Sequence, residues 1–155
     1  MNSLPARAAL EFLALPGVVG FLVPWLMLDR RFAGRVFQPS GFVLLAPGLI
    51  LLVWCVAAFY HVGRGTLAPW DPPRALVVTG VYGLSRNPMY VAVVLVLCGW
   101  ALGFRARPLV IYAAVVAVAF HFRVVFFEEP WLVRRYGDEW IRYKARVPRW
   151  LGIRG

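Results

Sequence analysis

The chain has 155 residues, of which 61% are hydrophobic, and seventeen basic residues against seven acidic ones give it a formal net charge of +10; its mean hydropathy is +0.70. A soluble domain of this length cannot bury so much apolar surface, which leaves a single integral membrane domain over residues 1–155. The sixteen arginines and one lysine flank apolar runs, so they point to membrane topology and anionic headgroups rather than to nucleic acid.

Four apolar segments follow one another, at about Ala8–Leu28, Phe42–Tyr60, Tyr90–Phe104 and Leu109–Phe127. A span takes roughly 20 residues, so the expected fold is all-α, an integral membrane bundle of about four transmembrane helices. The first segment carries Glu11, Pro16 and Pro24 and runs into Asp29-Arg30-Arg31, which reads as a retained helix and not a cleaved signal peptide. Cys55 and Cys98 sit inside apolar runs without CxxC or metal-type spacing and read as packing residues. The Gly- and Pro-rich loop from Gly63 to Tyr82 is too apolar for a solvated linker, holding Leu67, Trp70, Leu76, Val77 and Val78. It is expected to fold as ordered backbone against the bundle. The third helix extends back to Pro88, and Gly103-Phe104-Arg105-Ala106-Arg107-Pro108 joins it to the fourth as a tight helical hairpin. The tail from Trp131 to Tyr143 places Leu132, Tyr136, Trp140 and Tyr143 on one face. It is expected to lie at the interface as one amphipathic helix.

With four spans, the N-terminus, the 61–88 loop and the tail share one side. That side holds Arg7, Arg64, Arg74, Arg86 and Arg123, together with Arg134, Arg135, Arg142, Lys144, Arg146, Arg149 and Arg154 in the tail. The other side holds Arg30, Arg31, Arg35, Arg105 and Arg107. The bias places the long loop and the tail in the cytoplasm.

Candidate chemistry gathers on that side. Asn87 is a good N-cap and Pro88 suits the first helical position, so a helix starts there, with free N–H groups and a positive dipole end beside Arg86. Tyr90, one turn in, offers a ring face or a hydroxyl. The same residues also make a plain interfacial helix start. Glu128-Glu129 closes the fourth segment, where paired carboxylates are costly unless hydrated, paired or bound. Neighbours on a helix diverge by about 100°, so one is expected to face a pocket and the other to pair with arginine or water. Gly63-Arg64-Gly65-Thr66 permits close backbone approach to a ligand or simply a turn. Glu11 is an intramembrane carboxylate within reach of the interface. His61 and His121 lack spaced partners, so no metal site is expected, and no Ser/His/Asp or Cys/His nucleophilic set is present.

Taken in order, Gly63-x-Gly65-Thr66, Pro72-Pro73, Val78-Thr79-Gly80-x-Tyr82, Arg86-Asn87-Pro88-x-Tyr90 and Glu128-Glu129-x-x-Leu132 precede Tyr136-Gly137-x-Glu139-Trp140-x-x-Tyr143 and Arg146-Val147-Pro148-Arg149. Over about residues 60–151 this resembles the isoprenylcysteine carboxyl methyltransferase family. Phospholipid N-methyltransferases look related in the same region through Asn87-Pro88-Met89-Tyr90, Gly99-Trp100 and Glu128-Glu129-Pro130. Family members often have His where this chain has Asn87.

The resemblance implies S-adenosylmethionine as methyl donor, a cofactor pocket closed by the tail, and a lipophilic or prenylated acceptor entering between helices. Mapped onto this sequence, Gly65, Thr66, Tyr82, Asn87, Pro88, Tyr90, Glu128 and Glu129 are expected around the cofactor, and Arg86 and Glu129 at the reaction. Arg86 suits either the cofactor's carboxylate or the acceptor. Carboxyl methylation is preferred on the tail motif, with phospholipid amine or small-thiol methylation as alternatives. The competing class is a non-catalytic membrane accessory protein. The expected location is a bacterial inner membrane.

Overall fold

The computed structural model describes residues 13–28, 36–58, 61 and 76–152. Glu11, the Gly63–Thr66 stretch with Gly65 and Thr66, Trp70, the N-terminal end of the first apolar segment and the C-terminal end of the second lie outside the described residues. Every regular element among the described residues is helical. Helix α1 begins as a wide π-type turn, Leu13–Leu22, and runs into Val23–Leu28. A 3-10 turn at Pro39–Gly41 leads into α2, Phe42–Ala58, and α3 is Pro88–Phe104. Helix α4, Arg107–Arg123, continues through a π turn, Val124–Glu128, into α5, Glu129–Tyr136, and α6 is Asp138–Arg146.

Two stretches are long and apolar enough to cross a membrane, Pro39–Ala58 with 20 residues and Arg107–Tyr136 with 30. Only 28% of the apolar window in each is buried inside the protein. A soluble core helix would hide most of that surface, whereas here Val43, Ile50, Val53 and Trp54 on α2 and Ile111, Val115, Val118 and Phe122 on α4 face outward. The other two apolar helices, Pro16–Leu28 and Pro88–Phe104, are shorter.

Helices α2 and α3 meet through glycine. A Cβ on Gly99 would lie 2.6 Å from the Leu45 nitrogen, and one on Gly48 would lie 2.9 Å from the Val96 nitrogen. No side chain separates the two backbones at this crossing, which maximises dispersion contact where lipid offers no hydrophobic drive between helices. The core that results joins Leu52, Ala92, Val93, Leu97, Ala113, Val116 and Phe120 across α2, α3 and α4. Pro24 offers no N–H to the turn before it, and the Tyr112 hydroxyl from α4 donates to the Val19 carbonyl there at 3.1 Å.

The α3–α4 connection is the expected tight hairpin. Arg105 closes α3 in the left-handed region at φ 50°, and the Ala106 N–H reaches back to the Ala101 carbonyl at 2.9 Å. Residues 76–82 also pack as expected. Val77, Val81 and Tyr82 are buried with Cys55 against the C-terminal end of α2.

Two expectations are corrected. The fourth apolar helix does not end at Phe127, because Glu128 and Glu129 lie inside a helix that continues to Tyr136. Pro130 has no N–H and its ring would crowd the preceding turn, and a widened turn absorbs it, with the Glu129 N–H bonding five residues back to Val124. Nor is the tail one continuous helix. Gly137, at φ 51° and ψ −125°, breaks it between α5 and α6. The predicted apolar face is real, but Trp140, Tyr143 and Val147 are buried on Leu76, Leu132 and Tyr136 rather than turned to lipid.

The glycine crossing is testable. Gly99→Leu forces α2 and α3 apart and is expected to cost about 2–3 kcal/mol or to prevent folding, by overpacking against backbone that cannot yield. Leu102→Ala, on an exposed position of the same helix, is expected to cost well under about 1 kcal/mol. Thermal denaturation of both variants in detergent checks the contrast, and equal stabilities would show that the backbones need not approach so closely.

Candidate functional site

One end of the bundle brings together the start of α3, the α4–α5 turn and the segment after α6. Helix α3 begins at Pro88 as expected, with Asn87 just before it at φ −130° and ψ 49°. The Asn87 side chain, however, makes no cap hydrogen bond. Its Nδ2 donates instead to the Arg149 carbonyl at 3.1 Å, and its own N–H donates to Ser85 Oγ at 3.1 Å. Ser85 Oγ in turn donates to the Arg149 carbonyl at 3.2 Å, and the Arg86 N–H donates to the Pro148 carbonyl at 2.9 Å. Residues 85–87 are thus stitched to residues 148–149, because an irregular backbone at this depth must find partners for its polar groups.

The adjacent carboxylates part company. Glu129 points inward, where Arg86 Nη1 donates to its Oε1 at 2.9 Å, and Arg149 forks onto it through Nε at 2.7 Å and Nη2 at 3.0 Å. Lys144 Nζ stands 3.8 Å from Oε2. Glu128 turns to another side, where Tyr90 donates its hydroxyl to Oε1 and Arg123 Nε donates to the same oxygen at 2.8 Å and to the Tyr90 oxygen at 3.0 Å. Divergence of successive helical side chains explains the split.

Burial separates the two clusters as well. The side chains of Arg86 and Glu129 are 1% and 10% exposed, against 46% and 30% for Arg123 and Glu128. The Arg86 guanidinium lies over the Trp140 ring, 5.5 Å from its centroid. Burial pulls its pKa below the ordinary arginine value, with the charge of Glu129 opposing that shift. The hydrogen bonds to Glu129 push Arg149 the other way. Three cations surround one carboxylate, and Arg86 Nε and Nη2 have no hydrogen-bond partner among the described residues.

Tyr82, expected beside a cofactor, is a core residue whose ring packs with Cys55, Val77 and Val81. Its carbonyl accepts the Tyr143 hydroxyl at 2.6 Å and so docks α6. Tyr90 is on the bundle side of the site, its ring 4.3 Å from that of Phe120. Between α3 and α4 a groove of about 410 Å³ runs from this point, lined almost wholly by apolar atoms, with Tyr90, Val94, Leu95, Ala117, His121 and Trp150 among its walls. Arg149, Arg123, Lys144 and Trp140 entered the sequence reading only as tail charges, topology markers or packing. The one signal for Arg149 was the Arg146-Val147-Pro148-Arg149 motif. Among the described residues no group of His, Cys, Asp or Glu is placed to hold a metal ion.

Two predictions follow from this geometry. Glu129→Gln leaves two arginines facing a neutral group and is expected to cost about 3 kcal/mol of stability, while Glu128→Gln, half exposed, costs about 1 kcal/mol or less. Denaturation midpoints in detergent measure the asymmetry, and equal losses would contradict the assigned burial. Burial also raises the pKa values of Tyr82 and Tyr143 well above the usual 10. The unfolded chain then loses these protons first, so stability is expected to fall as pH rises through about 10 and to keep falling towards the folded-state values. Tyr143→Phe should flatten that decline in a denaturation series run from neutral to alkaline pH.

No curated protein and no solved structure matches the chain significantly. A family model does, that of the phospholipid methyltransferases, over residues 37–139. The matched stretch includes the α2–α3 glycine crossing, the Arg86–Tyr90 entry to α3, both glutamates and the break at Gly137. The chain belongs to the phospholipid methyltransferase family.

Proposed function

We propose that this membrane methyltransferase uses S-adenosylmethionine to methylate a lipophilic acceptor drawn sideways from the bilayer, at a site facing the cytoplasm of a bacterial inner membrane. The observation that carries the reading is the Arg86 guanidinium, buried beside Glu129 with two N–H edges unpartnered among the described residues. Burying charged donors without acceptors is costly, so the cluster suits an anionic ligand group. The residues present fit the cofactor. Arg86 would hold its carboxylate, and Glu129, in exchange for the Arg149 fork, would hold its ammonium or ribose diol. Family membership and the motif order from Gly63 to Arg149 support the same donor.

When bound, S-adenosylmethionine supplies a methyl group on a cationic sulfur, already activated for transfer. The protein then has to align the acceptor and exclude water. The segment at residues 147–150, pinned to Ser85, Arg86 and Asn87, covers the polar cluster, and the apolar groove beside Tyr90 orients the acceptor's chain. A carboxylate acceptor of the isoprenylcysteine type, favoured by the motif from Tyr136 to Arg149, needs no base and would be oriented by Arg123. An amine acceptor is favoured by the description of the matched family, and Glu128 would hold its ammonium and take its proton.

The test is binding of S-adenosylhomocysteine to the detergent-purified chain, followed by transfer of labelled methyl into membrane lipid extracts. Arg86→Ala is expected to weaken binding by about tenfold to a hundredfold, the range for hydrogen bonds to a charged group. Base-labile volatile label marks an ester, and stable label an amine or thiol. Folded protein that binds no S-adenosylhomocysteine would leave the non-catalytic accessory role as the better reading.

A further inference from the structure

Helix α4 and its continuation through α5 form one helix of 30 residues, Arg107–Tyr136. At about 1.5 Å per residue it is roughly 45 Å long, against about 30 Å of hydrocarbon, so it projects beyond the apolar layer. Its outward side chains show where that boundary falls at the polar-site end. Phe122, Phe126 and Phe127 face outward, and Phe122 stacks on Phe126 with ring centroids 5.8 Å apart. Trp131 lies one turn beyond Phe127 and is 37% exposed, and Arg134 and Arg135, both exposed, follow within another turn. Residues three and four apart share a helix face, so these side chains make one stripe. It runs from apolar rings through an amphipathic indole to two guanidiniums, the succession of acyl chains, interface and head groups. Glu129, on the same short helix, is turned inward and buried.

We propose that Trp131, Arg134 and Arg135 bind the head group of an anionic phospholipid whose chains lie along Phe126 and Phe127, and that this contact sets the depth of α5. The surface continues the outward apolar side of α4, so its neighbour is the bilayer. Charge decides which lipid. The ion pairs among the described residues all end on Glu128 or Glu129, so neither Arg134 nor Arg135 pairs with a carboxylate there. Two adjacent guanidiniums without an acid complement a phosphate of net negative charge, and their forks match its oxygens. A zwitterionic lipid would bring its own ammonium against them. The lipid is an anchor and not a methyl acceptor, since none of these residues lines the groove between α3 and α4. Glu129 rides on α5, so the anchor also holds the Arg86–Glu129–Arg149 cluster at a fixed level beneath the head groups. The contact stands whether or not the chain transfers a methyl group.

The experiment titrates the detergent-purified chain with phosphatidylglycerol and, separately, with phosphatidylcholine of the same chain length, and follows lipid retention by native mass spectrometry. The wild type is expected to prefer phosphatidylglycerol by about tenfold or more, since each arginine at an anionic surface is worth about fivefold. Arg134→Gln combined with Arg135→Gln should remove that preference. Arg142→Gln combined with Arg146→Gln removes the same charge from exposed positions of α6 and should leave most of it. Trp131→Ala should weaken retention of both lipids. Thermal midpoints of the same samples give a second readout, because a lipid that binds only the folded chain stabilises it. Phosphatidylglycerol should raise the wild-type midpoint and leave that of the Arg134/Arg135 double variant unchanged. A wild type that holds both lipids equally overturns the proposal, as does a double variant that keeps the preference. So does an α6 pair that lowers the preference as much as the α5 pair, or a Trp131→Ala variant that retains lipid normally.

Discussion

The carboxylate of Glu129 is held by Arg86 from the entry to α3, by Arg149 from the segment after α6, and more distantly by Lys144 from α6 itself. An isolated carboxylate buried at this depth would be driven to take up a proton, and an isolated arginine would be equally costly. Each therefore requires the others, and the requirement fixes three stretches of chain against one another. The bonds from the Ser85 and Asn87 side chains to the Arg149 carbonyl, and from the Arg86 N–H to the Pro148 carbonyl, follow once that junction is made. Removing the acid would loosen the tail, the start of α3 and the floor of the polar site together.

Everything that positions this carboxylate is ordinary helix chemistry under the constraints of an apolar solvent. Glycines at positions 48 and 99 let α2 and α3 approach backbone to backbone, and the α3–α4 hairpin then sets α4 beside them. Pro130 cannot be accommodated in an unbroken α-helical turn, so the turn before it widens. That widening lies directly before Glu129, so the bulge in the helix and the rotation of the two carboxylates arise at the same place.

The consequence is that two neighbours in sequence meet different surroundings. Glu129 is sealed among cations, in a setting with surplus positive charge and unused arginine donors, which suits a charged cofactor. Glu128 stands half exposed at the mouth of an apolar groove, with a tyrosine hydroxyl and one arginine, which suits an amphiphile.

Much of this was legible in the residues alone. Composition excludes a soluble fold, Asn87-Pro88 marks a helix start, residues 103–108 mark a hairpin, and the spacing of Leu132, Tyr136, Trp140 and Tyr143 marks one apolar face. These depend on local periodicity and on backbone rules that act over a few residues. The partners of the acids did not follow in the same way. Arg149 lies 20 residues from Glu129, and Arg86 lies 43 away, so no spacing rule links them. The helix running past Glu129 was hidden by the usual meaning of proline, and the docking of α6 onto Leu76, instead of onto lipid, depends on a loop packed by Val77 and Tyr82. The sequence by itself determined that this is a helical membrane protein with a helix start at Pro88 and a hairpin at residues 103–108. Only the tertiary structure decided which acid meets which cation, because burial, and not position along the chain, sets where a charge must find its partner.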